Sequence, residues 1–115
     1  MDFPTNEDFL DIFGLEPIEN DPSMGYSRYL KEISNNDIEL DISFSAIAQS
    51  FQVILRCYTN ELVKISSEKV KSIKVRCDKS SSGIYIIFDI QGVTAEAWVK
   101  LEPTVSCNWW ILDGV

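Results

Sequence analysis

The feature that most constrains this chain is the strict alternation of residues 37–44, Asp-Ile-Glu-Leu-Asp-Ile-Ser-Phe. Side chains on a strand point to opposite faces with period two, so Ile38, Leu40, Ile42 and Phe44 fall on one face, and Asp37, Glu39, Asp41 and Ser43 on the other. On a helix the same residues would spread carboxylates all round the barrel. The segment therefore reads as a half-buried strand with a dry face and an acidic face. Three carboxylates recur ~7 Å apart along it, at ~3.3 Å per residue.

The rest of the chain is read around that strand. Residues 5–13 predict a short amphipathic helix. Thr5 is a natural N-cap, and Glu7 and Asp8 sit where the helix dipole favours negative charge. Phe9, Leu10, Ile12 and Phe13 gather on one side, and Gly14 suits the left-handed residue that ends a helix. Residues 15–25 carry two prolines, an Asn-Asp pair and Gly25, and read as a loop. Residues 26–34 read as an irregular first strand, with a hairpin turn at Asn35-Asn36. Short strands then follow at 50–58, 61–66, 70–77, 84–90, 93–101 and 107–112, with the clearest hairpin at Gln91-Gly92 and a loop at 78–83. Spacing near ten residues favours antiparallel neighbours, because parallel crossovers need more chain. The expected class is α+β: a short N-terminal helix packed on a mostly antiparallel, curved sheet of seven or eight strands. It is read as one domain over 1–115, with an acidic helix-and-loop arm (1–25) and a β-rich body (26–115).

Composition narrows the function. At 115 residues and 45% hydrophobic, the chain supports one modest core. No apolar run approaches a membrane span, and the start, Met-Asp-Phe-Pro, lacks the basic region of a secretory signal, so a cytoplasmic protein is expected. There is no histidine, which removes Ser-His-Asp and Cys-His catalysis and histidine-ligated metals. Cys57, Cys77 and Cys107 each share a strand face with apolar neighbours and read as buried, reduced thiols. The net charge is −8, and residues 1–27 hold seven acids and no base. That asymmetry argues for a cationic partner or a solvated acidic arm and against nucleic acid.

Four groups of residues are weighed for function. The Asp37/Glu39/Asp41 stripe is either satisfied by cross-strand bases, with Lys69, Lys71, Lys74 and Arg76 available, or is a docking stripe for a cationic surface. The same stripe read as a calcium loop fails, since Leu40 stands where such a loop needs glycine. Carboxylate pairs for glycoside hydrolysis have no specificity among eighteen acids. Trp98 shares its face with Thr94, Glu96 and Lys100. It is either an interface anchor, or a sugar-stacking platform, or a ring covered by the N-terminal helix or by Tyr26 and Tyr29. Trp109 and Trp110 point to opposite faces, so one of them belongs to the core. No enzyme, metal or cofactor is expected.

The opening Phe9-Leu10-Asp11-Ile12-Phe13-Gly14-Leu15-Glu16-Pro17, a short helix ending at Phe-Gly-x-x-Pro before a run of alternating strands, resembles the start of several families of immunity proteins. These accompany bacterial polymorphic toxins, including those of contact-dependent growth inhibition. Where such families often carry His-Asp after the proline, this chain has Ile18-Glu19-Asn20-Asp21. The resemblance implies a non-enzymatic inhibitor that binds a cognate toxin domain, often a basic nuclease. The residues expected to meet such a partner are Glu7, Asp11, Glu16, Glu19, Asp21, Asp37, Glu39, Asp41 and Trp98. The alternative reading is a carbohydrate- or peptide-binding β module.

Overall fold

A computed structural model describes residues 3–33 and 37–112. The chain divides into two compact units, residues 15–68 and residues 1–14 with 69–115. The α+β class and the antiparallel order hold. The strands, however, are nine among the described residues and form two sheets of five and four rather than one. The expected turn at Asn35-Asn36 lies outside the described residues.

In the unit of residues 15–68 the strands run as a meander, each pairing with the next: β1 (Glu19–Asp21), β2 (Tyr26–Glu32), β3 (Ile38–Ser45), β4 (Ser50–Cys57) and β5 (Asn60–Ser67). The expected loop at 15–25 is more ordered than its prolines and glycine suggest. It contains β1 and a 3-10 turn over Pro22–Met24. Asp21 caps that turn, its Oδ1 accepting from the Ser23 amide at 3.1 Å, and Pro22 takes the first position, where no amide donor is needed. β2 is a regular strand, not an irregular one. Tyr29, Leu40, Ile42, Phe44, Phe51 and Val53 are buried, and Tyr29 stacks toward Phe44 with ring centroids 6.2 Å apart. Two departures break the simple alternation. Ile54 is buried although it points to the other face from Val53, and Asp41, opposite it in the register, is buried as well.

The second unit joins the helix α1 (Asn6–Phe13) to β6 (Val70–Cys77), β7 (Ser82–Ile90), β8 (Val93–Glu102) and β9 (Ser106–Ile111). The helix is closed by its own sequence. The Asp8 amide donates to Thr5 Oγ1 at 3.1 Å, and Asp8 Oδ2 accepts from the Thr5 amide at 2.9 Å, a reciprocal capping box. Gly14 adopts φ +68° and returns its amide to the Leu10 carbonyl at 3.0 Å. Phe9 and Phe13, one turn apart, are buried, while Leu10 and Ile12 stay exposed.

β6, β7, β8 and β9 form a second antiparallel meander. The Gln91-Gly92 hairpin has positive φ at both residues, 52° and 80°, as a tight turn matched to strand twist requires. A bulge at Lys71 shifts the register of β6 and brings both Ser72 and Ile73 into buried positions, so the expected alternation there fails by one residue. Cys77 and Cys107 are exposed and Cys57 is half-buried, all as free thiols. The expectation of three buried thiols is therefore corrected: Cys77 and Cys107 lie near the ends of β6 and β9, the two edge strands of the four-stranded sheet.

Gly83 in β7 and Gly92 in the hairpin turn separate packing from conformation. A Cβ on Gly83 would stand 2.2 Å from the Val99 carbonyl oxygen, whereas on Gly92 it would meet nothing within 4 Å. Gly83→Ala is expected to destabilise the protein by on the order of 3 kcal/mol or more, because backbone must move. Gly92→Ala is expected to cost only about 1–2 kcal/mol of left-handed strain. Urea denaturation of both variants checks the order; equal losses would contradict it.

Candidate functional site

The acidic strand β3 does not present three free carboxylates. Its neighbours are β2 and β4, and these supply Arg28 and Arg56. Asp41 is 3% exposed. Its Oδ1 accepts from Arg28 Nε at 2.9 Å and its Oδ2 from Arg28 Nη2 at 2.7 Å, a two-pronged contact. Arg56 Nη2 stands 2.8 Å from the same Oδ2. Each arginine then reaches outward to a second acid. Arg28 Nη1 donates to Glu19, and Arg56 Nη1 lies 3.4 Å from Glu39 Oε1. The result is an alternating chain, Glu19–Arg28–Asp41–Arg56–Glu39, that crosses β1, β2, β3 and β4. The bases expected to answer the stripe, Lys69, Lys71, Lys74 and Arg76, belong instead to β6 or its approach in the other sheet.

Electrostatics follow the geometry. Burial pushes the Asp41 carboxyl up, but hydrogen bonds and charge from Arg28 and Arg56 outweigh it and hold the group below its ordinary 3.8. Arg28 is held fully charged by Asp41 and then Glu19. The remaining predicted acids are surface groups. Glu7, Asp11, Glu16, Asp21 and Asp37 are exposed. Asp21 is engaged in its turn, and the Asp37 carbonyl accepts from the Tyr58 amide at 2.7 Å.

Trp98 lies in the other unit and belongs to a different surface. Register places Lys74 opposite Tyr85, Tyr85 opposite Trp98, Glu96 opposite Trp110 and Trp98 opposite Asn108, all on one face of the four-stranded sheet. Trp98, Tyr85 and Trp110 line a cleft of about 450 Å³ with Arg76, Asp78 and Ser81. Trp110 Nε1 donates to Glu96 Oε1 at 2.9 Å. The Arg76 guanidinium sits 3.9 Å over the Tyr85 ring centre. Burial, and then its hydrogen bond to Glu96, raise the Tyr85 hydroxyl above its ordinary 10.0. Trp109 turns to the opposite face and stacks on the buried Phe88 at 4.6 Å. Sequence reasoning singled out Trp98 but missed Arg76, Tyr85 and Trp110 as its companions. The signal was available in the period-two reading of β7 to β9 once their register is known.

Among the described residues no group of three His, Cys, Asp or Glu side chains can hold a metal ion. No helix among them is long and apolar enough to cross a membrane. No protein-family model matches the chain, and no curated protein matches it by sequence. The fold itself has a counterpart. A chain of the contact-dependent growth inhibition toxin–immunity protein complex from Klebsiella pneumoniae 342 superposes with a TM-score of 0.86, covering 96% of both chains at 20% identity. The fold is thus that of a chain from a toxin–immunity complex, the kind of system that the Phe9–Pro17 segment resembles.

Replacing Asp41 by Asn leaves two guanidiniums facing one neutral amide. The expected loss is roughly 2–4 kcal/mol at neutral pH, below that of a fully buried pair because both arginines reach water. A carboxyl with a lowered folded pKa stabilises above its unfolded pKa and stops doing so as pH falls through the folded value. The gap between wild type and Asp41→Asn is therefore expected to stay constant above about pH 5 and to close on acidification below 3.8. Urea melts at several pH values check this; a gap independent of pH would contradict it.

Proposed function

We propose that this chain is an immunity protein, a non-enzymatic inhibitor that binds and neutralises a cognate toxin domain in the cytoplasm of the cell that makes both. The observation that carries the reading is the structural likeness to a chain of a toxin–immunity complex over 96% of this chain. The opening-segment resemblance supports it independently.

The finer reading is a toxin that is a basic nuclease whose active site is occluded. A nuclease surface is cationic because it binds phosphate, and an acidic surface is steered to it and competes there. Glu7, Asp11 and Glu16 are exposed and carry no ion pair among the described residues, which leaves their charge for a partner. Glu19 and Glu39 are held in place by Arg28 and Arg56, and Asp41 serves the surface by fixing those arginines. Asp21 and Asp37 extend the acidic ground around them.

Co-expression with the protein encoded immediately upstream tests the proposal. Growth arrest by that protein, relief by this chain, and a stable complex on a sizing column are the expected outcome. A toxic neighbour that this chain neither relieves nor binds would overturn the reading. For the acidic docking, the association rate is expected to fall ~10-fold or more between low and high ionic strength, with a further loss in a Glu7→Lys/Asp11→Lys variant. Stopped-flow rates that do not change with salt would remove the acidic-docking element while leaving neutralisation intact.

A further inference from the structure

The five-stranded sheet has a second face, opposite the one that buries Tyr29, Ile42 and Val53. Among the described residues, register sets Glu19, Asp21, Glu32, Glu39, Asp41 and Glu61 on this second face, with Arg28, Arg56 and Lys64 as its bases. Six acids against three bases leave it at −3. All three bases are already paired. Arg28 holds Glu19 and Asp41, Arg56 holds Glu39 and Asp41, and Lys64 Nζ stands 3.4 Å from Glu61 Oε1. An arriving cation therefore meets no unpaired base on this face.

At one end of the same face, a cleft of about 460 Å³ is lined by Tyr26, Ser43, Ser50, Gln52, Ser66 and Glu68 among others. That size lies within the range of ligand pockets, roughly 300–1,000 Å³. The side chains of Ser50, Gln52, Ser66 and Glu68 make no hydrogen bond or ion pair among the described residues. Glu68 is the one formally charged residue of the lining. Its segment is tied down by Ser67 Oγ, which donates to the Glu68 carbonyl at 2.8 Å and leaves the carboxylate open. Tyr26 shares a hydrogen bond with Ser43. Burial, and then the charge of Glu19, raise the Tyr26 hydroxyl above its ordinary 10.0 against the opposing pull of Arg28 and Ser43, so it stays neutral.

We propose that this cleft receives one lysine or arginine side chain of the protein partner, its charge on the Glu68 carboxylate and its remaining N–H groups donated to Gln52 Oε1 and the serine hydroxyls. The inference rests on the immunity reading and gives the partner's cationic surface a defined point of entry. Charge complementarity selects the occupant. An anion meets an unpaired carboxylate on a face of net negative charge. A sugar finds no exposed aromatic face to stack on, since Tyr26 is half-buried and the other rings of the lining, Phe44 and Phe51, are buried. A cation finds an acceptor at every polar side chain, because carboxylate, amide oxygen and hydroxyl all accept. Hydrogen bonds with a charged donor are also stronger than neutral ones.

Calorimetry and stopped-flow binding of the upstream-encoded toxin domain test this. Glu68→Gln is expected to weaken the complex roughly 10- to 100-fold, chiefly through faster dissociation, and Gln52→Ala roughly 3- to 10-fold. Asp89→Asn removes one exposed carboxylate from the other sheet and is expected to change affinity by less than about 3-fold. Thermal melts of the free variants separate lost folding from lost binding. Alanine replacement of the toxin domain's lysines and arginines is expected to find one position at which Glu68→Gln has no further effect. The lack of any such position, or wild-type affinity in both Glu68→Gln and Gln52→Ala, would overturn the inference and leave the function standing. Absence of any complex with the wild-type chain would overturn both. Saturable binding of maltohexaose to the free protein, lost in Gln52→Ala, would overturn it in favour of a sugar site.

Discussion

One buried carboxylate organises the five-stranded sheet. Asp41 sits mid-strand, nearly closed to water, and a lone charge there would be costly to keep. It is tolerated because two guanidiniums approach from the strands on either side, one of them two-pronged. Burying a charge pair seldom adds much net stability, since desolvation offsets the attraction. What it does add is register. A one-residue slip of β2 or β4 turns Arg28 or Arg56 to the opposite face and leaves Asp41 unanswered. The same pairing fixes Glu19 and Glu39, so the acidic surface inherits its geometry from the constraint that sets the sheet.

The two units present chemically different surfaces. In residues 15–68 the charges are ordered into an alternating chain with acids at both ends. In the unit holding α1 and the four-stranded sheet, α1 shows the exposed acids Glu7 and Asp11, while one sheet face sets Lys74, Arg76 and Lys100 beside Asp89, Glu96 and Glu102 and three aromatic rings.

Much of this was legible in the chain before the fold was known, and the failures are informative. The helix over Asn6–Phe13 was readable because Thr5, Asp8 and Gly14 act locally, within one turn. The Gln91-Gly92 hairpin was readable for the same reason. The partners of Asp41 were not, because cross-strand pairing depends on which strands become neighbours. Period-two patterning identifies faces but says nothing about sheet order. The lysines of 69–79 were the nearest bases in composition, yet the chain divides between Glu68 and Lys69, and the answering arginines come from adjacent hairpins. Bulges defeated the pattern in a second way. One extra residue at Lys71 shifts the register at the start of β6 and leaves Ser72, which period two assigns outward, buried, while Ile73, Lys74 and Arg76 keep their assigned faces. The aromatic cleft was half visible, since Trp98 stood out on a polar face while Tyr85 and Trp110 joined it only through register.

The measurement that bears most directly on the proposed role is hydrogen–deuterium exchange of this chain, alone and mixed with the protein encoded immediately upstream. Protection is expected in α1 around Glu7 and Asp11 and at the ends of the charge chain, around Glu19 in β1 and Glu39 in β3. No protection in any of these segments would contradict it.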